Sequence, residues 1–466
     1  MMSSQNASEN RFLTAAPGRL FVANALPMLL LMLMSGLLTV TDAAFLGHFV
    51  GADALAAVSV VFPATMILIA LSTLVGGGMS SLLARHLGAG NHRDAAAVFA
   101  QAHGLALFLA LLVMLAFASC GQSAIDALAN GQAGIARMAY TYLAILICAA
   151  PVQLLLGVHA DAWRNEGRAG LMALMSVGVT LANIGLNYLL ILHFDMGVAG
   201  SAWGTAIAQG LGLALLIGLR ARGLGALPLA ALRKARWVGA WRAIVTLGAP
   251  LSLSFIGIAL VSATVITTLR LTAGTGYTTD MAAYGIVTRI FSFTFLPLMA
   301  IALATQSITG NNIGAKLYQR SNAVLRLALI VSVLYCAGVE TVLLAANGWI
   351  GRGFVSDPAV IRQVGTILRA MASLYLFAGP VLVLALYFQA IGRPGHTAAL
   401  TLIKPFVISP IAIPILGIVY GTQAIWFAFP IADAIVVVIT LCFVFRCHKI
   451  RKNTNDVTLS HWGQAT

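Results

Sequence analysis

The chain has 466 residues, 60% of them hydrophobic and only 9% charged, with a mean hydropathy of +0.95. An ordinary soluble domain carries about 25% charged residues, so this composition excludes the soluble class and describes a polytopic membrane protein. The formal charge of +14 raises nucleic acid as a partner, and the placement of the basic residues along the chain removes it.

Twelve apolar runs long enough to cross about 30 Å of hydrocarbon follow one another. They lie at approximately 20–46, 54–82, 95–119, 135–158, 169–192, 197–221, 242–270, 281–309, 322–345, 364–389, 397–418 and 422–446. The first nineteen residues are polar and lack an A-x-A-like cleavage site, which predicts a short tail before an uncleaved first helix. Most of the 27 basic residues sit in the tails (Arg11, Arg19; Lys449, Arg451, Lys452) or after even-numbered runs, most densely over 220–242. Only Arg137, Arg270, Arg352, Arg362 and Arg369 lie at the opposite ends. By the positive-inside rule both termini and the 220–242 segment are cytoplasmic, in a cell membrane of the bacterial inner-membrane type. The basicity is thus topogenic, and no nucleic acid is expected as a partner.

Polar residues inside the runs are the next signal, because a charge in hydrocarbon costs several kcal/mol unless it is paired or used. Asp42 stands in "SGLLTVTDAAFLGHF" (35–49) among apolar, small and hydroxylated residues, with Thr39 and Thr41 as local partners if its role is structural. Measured from the outer ends of their runs, Asp42, Asn187, Thr205 and Asn183 lie at depths of roughly 6 to 14 Å, so the four fit one layer. Asn183 and Asn187 are four apart and share a helix face. In the second half, depth permits Arg289 with Glu340 and Lys404 with Asp433 as pairs. These four are either structural pairs or a second charged site, in which Asp433 is a protonatable or substrate-binding acid.

Other motifs carry less. The stretch "HADAWRNEGR" (159–168) holds His159, Asp161 and Glu166 without any metal-ligand spacing, and the five cysteines form no C-x-x-C pair, so no metal is expected. "LVGGGMSS" (74–81), at the end of a membrane run, reads as close helix packing rather than a phosphate cradle. No G-x-x-x-x-G-K-[ST] loop is present in the sequence, so nothing cradles ATP and the energy source is an ion gradient or the substrate's own gradient.

The two halves repeat. Pro27 answers to Pro250, "HLGAGN" (86–91) to "NIGAKL" (312–317), Pro151 to Pro380, "NEGR" (165–168) to "AIGR" (390–393), and "GVAGSAW" (197–203) to "YGTQAIW" (420–426), at offsets of 223 to 229 residues. Six runs per half is an even number, so both halves run the same way through the bilayer. The expected fold is an all-α membrane protein, with twelve transmembrane helices in two six-helix lobes related by pseudo-two-fold symmetry. Its parts are a cytoplasmic tail (1–19), an N-lobe (20–221), a cytoplasmic linker (222–241), a C-lobe (242–446) and a second cytoplasmic tail (447–466). Such a duplication is the build of an alternating-access transporter, not an enzyme.

The stretches "ALPMLL", "TVTDAAFLGHFVGADALAAVSV", "GAGN", "LANIGLNYLLILHFDMGVAGSAWGTAIAQ", "MAAYGIVTRI" and "YFQAIGR" resemble, in order and spacing, those of the multidrug and toxic compound extrusion (MATE) family. The resemblance runs from about residue 19 to 446. It implies an antiporter that exchanges H+ or Na+ for hydrophobic, often cationic, organic compounds, with no cofactor and no obligate protein partner beyond membrane lipids. It also implies an ion site of Asp42, Asn183, Asn187 and Thr205, with Pro27 as the bending proline of the first span. Asn187 departs from the family, which commonly has an acid there. A flippase for a lipid-linked saccharide, built on the same superfamily plan, is the alternative. Such proteins favour a cationic central cavity, whereas Arg289 and Lys404 are here matched by acids.

Overall fold

A computed structural model describes residues 10–129 and 132–454; residues 1–9 of the expected N-terminal tail and 455–466 of the C-terminal tail lie outside the described residues. Among the described residues the secondary structure is helical throughout, with no strand. Ten helices are long and apolar enough to cross a membrane, and two further pairs, bent by 48° and 49°, bring the number of spans to 12 when each pair is one span. All twelve expected apolar runs are therefore helical. The helices extend beyond the runs, as in Ala52–Gly88 and Tyr277–Gly314, because a helix carries on past the hydrocarbon to the next residue that can turn the chain.

The chain separates into two compact units, Met1–Ser252 and Leu253–Thr466. The division falls inside the seventh span, Trp241–Thr272, and not in the basic linker. The reason lies in two glycines. A Cβ on Gly78 of the second span would come within 2.0 Å of the Ile244 carbonyl oxygen, and one on Gly248 within 1.9 Å of that of Leu74. Glycine at both positions lets the two backbones touch, as small residues do at membrane helix crossings. Ser252 then donates to the Ala70 carbonyl oxygen at 2.7 Å, so the first turns of the seventh span pack with the first unit.

Internal duplication shows in the turns. After the second span Gly90 has φ +74, and at the equivalent place after the eighth span Lys316 has φ +60. The left-handed turn is retained even where its residue is no longer glycine, which normally supplies it. Both bends also occur in the fourth span of their half, between Ala133–Cys148 and Ala150–Asn165 and between Pro358–Ala372 and Tyr375–Ala390. Each unit has its own core: Leu83, Phe99, Leu154 and Ile244 in the first, Val287, Ile367 and Trp426 in the second.

Candidate functional site

The first span, Pro17–Phe45, continues into a π-helical turn at Leu46–Val50. The fifth, Ala169–Asn187, ends likewise in a π turn, Tyr188–His193. Such wide turns release a helix from strict register and are frequent at functional sites. The two spans lie along one another: Ser176 and Thr180 donate to the carbonyl oxygens of Leu31 and Met34, each at 3.5 Å. Carried two turns further, that register brings the end of the fifth span to Asp42.

There Asn187 Nδ2 donates to Asp42 Oδ1 at 2.6 Å, and the Thr205 hydroxyl, from the sixth span, lies 3.4 Å from Asp42 Oδ2. The orientation of the Asn183 amide that satisfies both of its ends places Nδ2 3.0 Å from Asp42 Oδ1 and Oδ1 3.1 Å from the Thr205 hydroxyl. Thr205 has one proton, so it donates either to Asp42 or to Asn183. Asn183 and Asn187 are fully buried. The structure thus brings Asp42, Asn183, Asn187 and Thr205 into one cluster. Thr39, a partner the sequence offered, is spent on the Ser35 carbonyl at 3.2 Å.

Two features of this cluster were not legible beforehand. The Oδ1 of Asn187 is buried and has no hydrogen-bond partner, which leaves a carbonyl oxygen beside the carboxylate. Gly204 makes room for it, since a Cβ there would come within 2.3 Å of that same oxygen. The only signal for Gly204 was its place one residue before Thr205. Chemically the cluster presents two carboxylate oxygens, an amide oxygen and a hydroxyl, an all-oxygen set suited to a proton or a small hard cation.

In the second unit, Lys404 donates to Asp433. The expected Arg289–Glu340 pair does not form. Glu340 Oε2 instead accepts the Leu376 backbone N–H at 2.6 Å, at the point where the bent tenth span restarts after its break. Depth alone does not reveal a break, and the free N–H groups there compete for the carboxylate.

The residues of "HADAWRNEGR" are in structural contacts. Asp161 pairs with Arg164 at 3.0 Å, Glu166 with Arg220 at 2.7 Å, and His159 Nε2 lies 3.1 Å from His103 Nε2. Pro27 lies inside the first span, where it lacks the N–H that would bond to the Ala23 carbonyl.

The sequence pattern of the MatE family matches residues 27–189 and 250–415. The chain is 24% identical to an FAD transporter of Shewanella oneidensis, over 95% of this chain and 98% of that protein. It is 23% identical to the multidrug export protein MepA of Staphylococcus saprophyticus, over 90% of this chain and 92% of that one. A MATE protein whose crystal structure was solved in the bent conformation superposes with a TM-score of 0.85 at 20% identity, covering 97% of this chain and 100% of that one. With most of its length matched by the family pattern and its spans in the family's arrangement, the chain belongs to the MATE family and is a multi-pass membrane transporter.

Proposed function

We propose that this transporter is a secondary antiporter that exchanges protons, or sodium ions, for hydrophobic, cationic organic compounds. Asp42 is its coupling group, and Asn183, Asn187 and Thr205 are its partners. The observation that carries the reading is the cluster itself: one carboxylate inside a span, held by an amide at 2.6 Å, beside a buried amide oxygen without a partner. A group that changes charge and so biases one of two states is what energetic coupling requires. Loss of the acid commonly found where this chain has Asn187 leaves a single carboxylate, which favours the proton over the sodium ion.

Dye efflux from proteoliposomes under separately imposed proton and sodium gradients tests this. Export driven by the proton gradient alone is expected, and export that ignores both gradients sinks the proposal. The orientation, with both termini and the linker cytoplasmic in a cell membrane, is tested by labelling a Leu224→Cys variant with an impermeant maleimide. Labelling is expected from the cytoplasmic side only.

A second reading is export of a flavin nucleotide, favoured by the likeness to the FAD transporter over nearly the whole chain. FAD uptake in the same vesicles separates the two.

A further inference from the structure

The chain contains two very different acid–base pairs. Glu166 and Arg220 have side chains 2% and 0% exposed. Arg220 also donates to the Leu227 carbonyl at 2.8 Å and lies between the rings of Phe99 and Trp163, while Glu166 accepts the Ala226 N–H at 2.8 Å. That pair is enclosed and held by several partners, with Arg220 Nε and Nη2 left without a hydrogen bond. Lys404 and Asp433 are 35% and 22% exposed, and among the described residues each has only the other as a polar side-chain partner. The second pair has neither the burial nor the additional partners of the first.

Its surroundings support exchange with a solute. Ile431 and Ile435, two residues either side of Asp433 and so about 200° away round a helix, are exposed and apolar. Asp433 lies on the other side of the twelfth span, next to buried Ala432 and beside buried Val436, so its exposed part does not belong to that apolar outer stripe. Lys404 opens the π turn Lys404–Ile408, followed at once by Pro405. Proline withholds the N–H that the Thr401 carbonyl would accept, so the helix is already broken where the lysine leaves it. Four methylene groups let its ammonium swing without moving the backbone.

We propose that Asp433 binds the charged centre of a monovalent organic cation, and that Lys404 is its resident competitor, holding the carboxylate when no cargo is present and displaced when cargo arrives. The proposal rests on the cation-export reading above. An acid left bare inside the membrane is costly, as is one permanently neutralised if it must bind cargo. Exchange of one cation for another keeps Asp433 neutralised at every stage. It also makes cargo affinity a difference between two cations, which tunes binding to be weak enough for release.

Tetraphenylphosphonium is the probe, since it carries one positive charge and no hydrogen-bond donor. Equilibrium dialysis with detergent-purified Lys404→Gln is expected to show at least tenfold tighter binding than wild type. Lys404→Arg should stay within a few-fold of wild type, and Asp433→Asn should lose binding. A measurement on the unmodified protein stands independently of any variant's folding: saturating probe should raise the acetylation rate of Lys404 by an amine-directed reagent at least threefold, with exposed Lys316 unchanged. Lys404 that is unaffected or protected by the probe overturns the proposal. So does a folded Lys404→Gln with unchanged or weaker binding, or one that loses FAD instead, which would make Lys404 an anion receptor. Wild type that binds no probe at all sinks the cation-export reading itself, whereas probe bound with Lys404 indifferent sinks only the competitor role.

Discussion

Asp42→Asn isolates charge from shape. Asparagine keeps the volume of the carboxylate and can point its oxygen to the Oδ1 place, where Asn187 at 2.6 Å and Asn183 at 3.0 Å both donate. Its nitrogen then takes the Oδ2 place, 3.4 Å from the Thr205 hydroxyl, which can accept. No bond need be lost, and two charge-assisted bonds become neutral at about 1 kcal/mol each, offset by no longer burying a charge. The melting temperature is therefore expected to stay within about 4 °C of wild type. Transport is affected differently. One proton crossing a gradient of one pH unit delivers about 1.36 kcal/mol, and in one-for-one exchange against a monovalent cation the membrane potential cancels. Wild type in proteoliposomes should then concentrate tetraphenylphosphonium about tenfold, and the variant should only equilibrate it. Tenfold accumulation by a folded Asp42→Asn protein would refute the coupling role.

Three further substitutions bear on the site and its support. Asn187→Asp sets a second carboxylate within bonding distance of Asp42, so the pair must hold a shared proton or a cation; sodium-dependent thermal stabilisation absent from wild type is expected, and melting curves indifferent to sodium would make Asn187 a packing residue. Gly204→Ala drives a methyl group to within 2.3 Å of Asn187 Oδ1, and should destabilise by about 1–3 kcal/mol while impairing proton-driven efflux; a fully coupled, equally stable variant would show that the close approach is dispensable. Glu166→Gln leaves the Arg220 guanidinium, whose side chain is 0% exposed, without a counter-charge and should cost about 3 kcal/mol, read as a lowered melting temperature with the proton-to-sodium preference unchanged.

Much of the architecture was legible because bilayer thickness fixes span length and the duplication fixes order. The turn at "HLGAGN" and "NIGAKL" illustrates this: register carried the turn to Lys316, although lysine has no preference for φ +60. The Asp42 cluster was legible in part. Depth placed Asn183, Asn187 and Thr205 in its layer, the i, i+4 spacing put the two asparagines on one face, and the family resemblance named the same set. What depth could not supply is azimuth. Arg289 and Glu340 lie at compatible depths, yet Glu340 is taken by the Leu376 N–H, a partner that exists only because the tenth span breaks. The boundary of the first unit was hidden for a similar reason, since a basic linker looks like a divide until Gly78 and Gly248 bring the second and seventh spans into backbone contact.

Fifteen residues separate Pro27 from Asp42, about 22 Å of helix, so the residue proposed to sense the ion is far from the residue proposed to bend. The burial pattern of the first span connects them. Leu20, Phe21, Asn24 and Met28 are buried, and so is Leu46, but no residue from 29 to 45 is. Along that stretch the fifth span packs against the first, and the hydrogen bonds from Ser176 and Thr180 to its carbonyls are long, at 3.5 Å, at the limit of hydrogen bonding, before the tight bond from Asn187 to Asp42. The segment is anchored below Pro27 and tied near its far end by the Asp42 carboxylate together with buried Leu46. Neutralising Asp42 weakens the tie, and the missing N–H at Pro27 is where the helix yields. Spin labels on Leu37→Cys and Leu181→Cys, both at exposed positions of the first unit, should report this: Asp42→Asn is expected to broaden their distance distribution, while a Leu26→Cys and Leu174→Cys pair beside the anchored end stays as in wild type. Equal behaviour of the two pairs would mean that the Asp42 charge does not control the position of the first span.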